Sequence, residues 1–195
     1  KSRHFGSIPA LRSAGELRDF LTNGARYPLF GKPAEGRAAI GTAMMTGVED
    51  GQIVLSSGRR IDLETFCSEI WTDYHDGYIL QTCLVQHARL RPMAGNAVST
   101  LRMVTVRDGD QASLLYTLWK IPSPKAMSDN FWQTGSMMGL IDDETGEVKT
   151  FIRGKGPKSE CLTHHPKSGK PILGFKIPHW EELCKVAFAT HEVTP

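Results

Sequence analysis

No stretch of this chain approaches the ~18 consecutive apolar residues that cross a bilayer as a helix, and no leader-like charged-then-apolar segment opens it. The expectation is a cytoplasmic protein without a membrane span. Cysteine is sparse as well. Cys67, Cys83, Cys161 and Cys184 are far apart and form no C-x-x-C pair. That spacing excludes a zinc ribbon, and so few thiols cannot staple a fold of this length, so they read as reduced cytosolic cysteines. An excess of one charge is also missing. The net charge is +2 and the lysines and arginines are scattered, which argues against nucleic acid as a partner. No internal repeat or low-complexity tract is present.

What remains is the material of an ordinary globular chain. With 195 residues, 40% of them hydrophobic and 23% charged, there is enough for one sizeable core or two small subdomains around a cleft. Ser13 with Glu16 three residues on forms a capping-box pattern, followed by Leu17, Phe20 and Leu21 on one helical face. A helix ending near Asn23-Gly24 is predicted. Tyr27-Pro28-Leu29-Phe30 then reads as a buried strand, with Lys32 at its exit and Pro33 locking the backbone beyond. The small loop Ala34–Ala39 follows. A lysine at a strand exit beside a loop of small residues suits a phosphate, because the ammonium is a point charge and backbone N–H groups can approach. A surface lysine before a hairpin turn is the competing explanation of that stretch alone.

Downstream, Ile53-Val54-Leu55 follows a turn at 49–52, and 62–71 reads as a second helix with Asp62 as its cap. Residues 77–84 predict a strand running into a connector, and 87–92 break the pattern. A run rich in β-branched residues, 98–106, and its returning partner, 114–121, predict a strong antiparallel hairpin. The stretch 122–139 is long and irregular, as functional loops are. A further hairpin turns at 143–146, 153–171 reads as loop, and a last helix runs from Trp180 to about Ala189, with Pro178 near its start. Helices on a largely antiparallel sheet make an α+β plan with polar residues at strand ends.

Taken in order, YPLFGKPAEGRAAIG, GYILQTCLVQH, STLRMVTV and SDNFWQTGSMMG resemble the ATP-grasp superfamily, in particular the sugar-transfer-associated ATP-grasp proteins. The likeness covers the chain from about Ile8 onward. It implies two small α+β subdomains gripping a nucleotide, expected at 1–80 and, in incomplete form, at 81–195. It also implies an ATP-dependent carboxylate–amine ligase working through an acyl phosphate, with a role in cell-surface polysaccharide or peptide modification. The partners would be ATP and a small-molecule carboxylate, with Mg²⁺ as cofactor. The alternative is a non-catalytic nucleotide-binding or scaffold module.

The resemblance assigns residues one by one. Lys32 would neutralise phosphate oxygens, and the loop carrying Gly36 and Arg37 would close over them, with one glycine where many relatives carry more. Gln81, Thr82 and Leu84 fall in the connector that holds adenine, where backbone groups at Thr82 and Leu84 read the base edge. Gln81 stands where many relatives have glutamate. Gln86 or His87 would meet the ribose. Arg102, between Leu101 and Met103 on an expected central strand, would stabilise phosphoryl transfer or grip the acceptor. Lys120 would add a second cation, and Asn130, after Asp129, a ligand contact, with Gly135 in the same loop. His165-Pro166 and 174–178 would form a substrate-side loop. Asp142, Asp143 and Glu144 are tempting as metal ligands but occupy a turn, where acids are favoured anyway. The family's Mg²⁺ ligands include a Glu-x-Asn pair, expected beyond the last helix. None occurs within these residues.

Overall fold

A computed structural model describes residues 10–36, 39–94, 97–109, 111–123, 134–154 and 156–193, with side chains to 191. It divides into two compact units, residues 1–83 and 84–195. Each holds one five-stranded sheet in which every paired neighbour is antiparallel.

In the first unit, Ser13 Oγ accepts the Glu16 N–H at 3.1 Å and opens α1 (Ala14–Asp19). The reciprocal half of the expected capping box lands one residue early: Glu16 Oε2 accepts the Arg12 N–H at 2.8 Å instead of the Ser13 N–H. A π-helical turn, Phe20–Gly24, carries the chain to β1 (Leu29–Pro33). β2 (Ala43–Glu49), β3 (Gln52–Leu55) and β4 (Arg60–Asp62) follow, then α2 (Leu63–Asp73) and β5 (Tyr78–Thr82). The sheet order is β4-β3-β2-β1-β5, so β1 is central. Asp62 caps α2 as expected, its carboxylate accepting from the Thr65 N–H at 2.8 Å and hydroxyl at 2.9 Å. The helices give Leu17, Leu21, Leu63, Phe66, Cys67 and Ile70 to one core with Leu29, Ala43, Met45, Ile53 and Leu55 of the sheet. The helices therefore cover one face of the sheet.

In the second unit, the expected break at 87–92 contains a short helix, α3 (Arg91–Ala94). Then come β6 (Thr100–Asp108), β7 (Gln111–Ile121), β8 (Met137–Ile141), β9 (Val148–Arg153), β10 (Glu160–Cys161) and α4 (Trp180–Val193). Their order is β10-β9-β8-β7-β6. The region expected to be loop throughout 153–171 thus contributes a short strand, and α4 runs one turn past Ala189. Trp119, wholly buried on β7, is the hub of this core. It stacks on Phe175 at 5.7 Å between ring centres and meets Phe151 at 6.4 Å.

Candidate functional site

On β1, Leu29 and Gly31 turn into the core, so Phe30 and Lys32 stand on the opposite, uncovered face. The register pairs Lys32 with Ile79, and Phe30 with both Gln81 and Met44. Phe30, Lys32, Met44, Ile79 and Gln81 therefore share one partly exposed face, apolar around a single ammonium. Lys32 has no acidic partner among the described residues. It lies within the strand rather than past its end, because the ladder starts at Leu29 and continues to Pro33. Phe30, Met44 and Ile79 were not singled out by sequence. The alternation along 29–32 is the signal that finds Phe30; the other two need the strand register.

The loop after β1 is pinned at both ends. Ala34 N–H donates to Gly77 O at 2.8 Å, and the Tyr78 hydroxyl donates to Gly41 O at 2.9 Å. Burial pushes the Tyr78 phenol well above its usual pKa, with the neighbouring Tyr74 adding to the effect, so it remains a proton donor at neutral pH. Tyr78 lies across Gly31, where a Cβ would stand 2.5 Å from its ring. Gly41, at φ +75, leaves no room for a Cβ beside the Tyr74 hydroxyl. Gly36 is exposed within this loop, and Arg37 lies outside the described residues. Thr82 is the exposed last residue of β5, paired with Leu29. β5 is the outer strand of its sheet among the described residues, so backbone groups on its far edge have no strand partner there.

In the second unit, Leu84 is 71% exposed at the start of the connector. Gln86 is tied down: its amide oxygen accepts from Ser99 N–H at 2.6 Å and Ser99 Oγ–H at 2.9 Å. Ser99 Oγ in turn accepts from the Trp119 indole N–H at 3.0 Å. His87 is exposed, accepts the Arg89 N–H through Nδ1 at 3.2 Å, and meets the His179 ring edge-on at 5.5 Å.

Arg102 does not stand on the central strand that the sequence predicts: β6 is the outer strand of its sheet among the described residues, and the side chain is exposed. Its guanidinium therefore needs no buried anion, since water solvates it. Leu101 and Met103 pack into the core, so Arg102 faces away from it. The register sets Arg102 beside Leu118 and Thr100 beside Lys120, with Met138 on the other side of Lys120. Arg102 and half-buried Lys120 thus lie on one sheet face as diagonal neighbours, at the ~7–8 Å spacing typical of such pairs. Asn130 and Asp129 lie outside the described residues.

Asp142 proves to be a turn builder. One carboxylate oxygen accepts from Glu144 N–H at 3.0 Å, Thr145 N–H at 2.7 Å and the Thr145 hydroxyl at 2.9 Å, while Lys149 pairs with the other. These contacts, led by Lys149, hold its carboxyl well below the usual range. Among the described residues no group of three or more His, Cys, Asp or Glu is placed to hold a metal ion. The described residues therefore supply no all-protein cage for a cation. Nor is any described helix long and apolar enough to cross a membrane.

Two units, each an antiparallel five-stranded sheet with helices packed against it, define the α+β class. Over residues 6–195 the chain matches the family described as sugar-transfer associated ATP-grasp, and it belongs to that family. Nucleotide binding, of ATP in particular, comes with that membership. No curated protein and no solved structure matches the chain.

Proposed function

We propose that this chain is the ATP-binding part of a ligase that joins a carboxylate to an amine. The observation that carries the reading is the unpaired Lys32 on the uncovered face of a central strand, a same-face diagonal neighbour of Gln81 on the adjacent strand. Lys32 neutralises phosphate oxygens, a charge-assisted contact of about 1.5–3 kcal/mol. Phe30, Met44 and Ile79 offer the base an apolar bed, and the open edge of β5 near Thr82 supplies backbone donors and acceptors for its polar rim. Leu84 continues that connector, while Gln86 offers the ribose its amide N–H₂, its oxygen being engaged by Ser99. His87 presents its remaining ring nitrogen beside it.

In the transfer step, a carboxylate oxygen attacks the γ-phosphorus and ADP leaves with the electron pair of the broken P–O bond. The amine nitrogen then attacks the acyl carbon, phosphate departs, and the nitrogen loses a proton. Arg102 and Lys120 stabilise charge on the transferring group, Asn130 contributes an uncharged contact, and Gly36 and Arg37 belong to the loop that covers the phosphates. The family's association with sugar transfer supports a role near sugar metabolism, which we extend to cell-surface polysaccharide or peptide modification.

Isothermal titration of the full chain with Mg·ATP tests the reading. Binding is expected, and Lys32→Ala should weaken it at least tenfold. No heat, or equal affinity in the variant, would sink the proposal. Binding without phosphate release on adding acids and amines would leave the non-catalytic nucleotide-binding module in its place.

A further inference from the structure

The second unit holds a cavity of about 240 Å³ lined by Arg91, Pro92, Met93, Ala94, Pro122, His165, Lys167 and Ser168. Three separated pieces of chain build it: α3, the end of β7, and a tight turn at 165–170. That turn is closed by His165 N–H donating to Lys170 O and Gly169 N–H donating to His165 O, both at 2.8 Å. One wall is apolar and sealed, with Met93, Ala94 and Pro122 buried. The polar side is cationic. Neither Arg91 nor Lys167 has an acidic partner among the described residues.

The imidazole fixes the chemistry. His165 is only 4% exposed. Its Nδ1 accepts the Ser168 N–H at 3.1 Å and lies 3.0 Å from Ser168 Oγ. A neutral ring whose Nδ1 accepts must carry its proton on Nε2. Burial lowers the ring's pKa, with Lys167 adding to the effect, and both favour the neutral form. The Nε2–H has no partner among the described residues. A preoriented N–H donor on a largely buried ring, beside two cations without acidic partners and an apolar wall, suits an anion with a hydrocarbon body.

We propose that this cavity binds the carboxylate end of a small organic monoacid, with Arg91 and Lys167 pairing the charge, His165 Nε2–H donating to one oxygen, and Met93, Ala94 and Pro122 covering the carbon chain. A bare phosphate dianion would leave that wall wet and carry more charge into a partly desolvated site. At about 240 Å³ the cavity is small for a ligand site, so the ligand is short. The choice of an acid rests in part on the carboxylate–amine ligase reading, but none of Lys32, Arg102 or Lys120 lines the cavity, so butyrate binding without nucleotide is tested apart from Mg·ATP binding.

Saturation-transfer NMR on the full chain without nucleotide tests this, using butyrate, its neutral isostere butyramide, and inorganic phosphate as competitor. Butyrate should receive saturation and butyramide should not. Titrating butyrate should shift a histidine Nε2–H resonance that is lost in His165→Gln. Arg91→Ala and Lys167→Ala, at exposed positions that should not disturb folding, should each weaken butyrate about tenfold. Equal binding of butyrate and butyramide, unchanged affinity in both variants, or displacement of butyrate by lower concentrations of phosphate would each overturn the proposal.

Discussion

At the scale of single residues, the lysine strand depends on a glycine that touches no ligand. Gly31 is where the Tyr78 ring crosses β1, and the same ring sends its hydroxyl to Gly41 at the far end of the loop. A methyl group at Gly31 must displace that ring and strain the loop anchor with it. Gly31→Ala should lose about 1–3 kcal/mol in urea denaturation, the usual cost of overpacking, and should weaken Mg·ATP more than a remote variant of equal stability. Tyr78→Phe removes only the hydroxyl, so its stability cost should be smaller.

At the scale of elements, α2 makes a prediction with a definite sign. The backbone N–H of Thr65, then its hydroxyl, holds the Asp62 carboxyl below its unfolded value of 3.8. A depressed folded pKa means that the unfolded chain binds more protons. The cap's contribution is therefore complete above about pH 3.8 and is lost as pH falls through the lower folded value. Asp62→Asn keeps a capping oxygen without a titrating group. Its stability at pH 7 should match the parent, while its acid limb should be shallower, as read by circular dichroism between pH 5 and 2. This cap was legible because its cause is local: Asp62, Leu63, Phe66 and Ile70 sit within nine residues. The β6–β7 hairpin was legible for the same reason. That β6 is an outer strand was not, since strand order depends on β8 pairing with β7, from which 15 residues separate it along the chain. Lys32 was legible as a candidate, but its shared face with Met44 and Gln81 follows from the pairing of Phe30 with residues 14 and 51 positions away. The tether from Gln86 to Ser99, and the cavity joining α3 to the 165–170 turn, left no pattern in any one stretch.

At the scale of the molecule, each unit has a hydrophobic core of its own, with no residue common to both. Ile53 is fully buried in the first and Ile172 in the second. Truncating either to alanine should cost about 2–5 kcal/mol. In native-state hydrogen exchange, Ile53→Ala should lower protection first in β1 to β5, and Ile172→Ala first in β6 to β9. Simultaneous, equal loss across both sheets from either variant would show that the two cores open as one. The Gln86–Ser99–Trp119 tether also has an optical consequence. The Trp119 indole is fully buried, and its single donor is spent on the hydroxyl that also holds Gln86. Emission from Trp119 is thus wired to the connector: a ligand that drew the Gln86 amide toward itself would loosen the indole's hydrogen bond and shift its fluorescence, with no label attached.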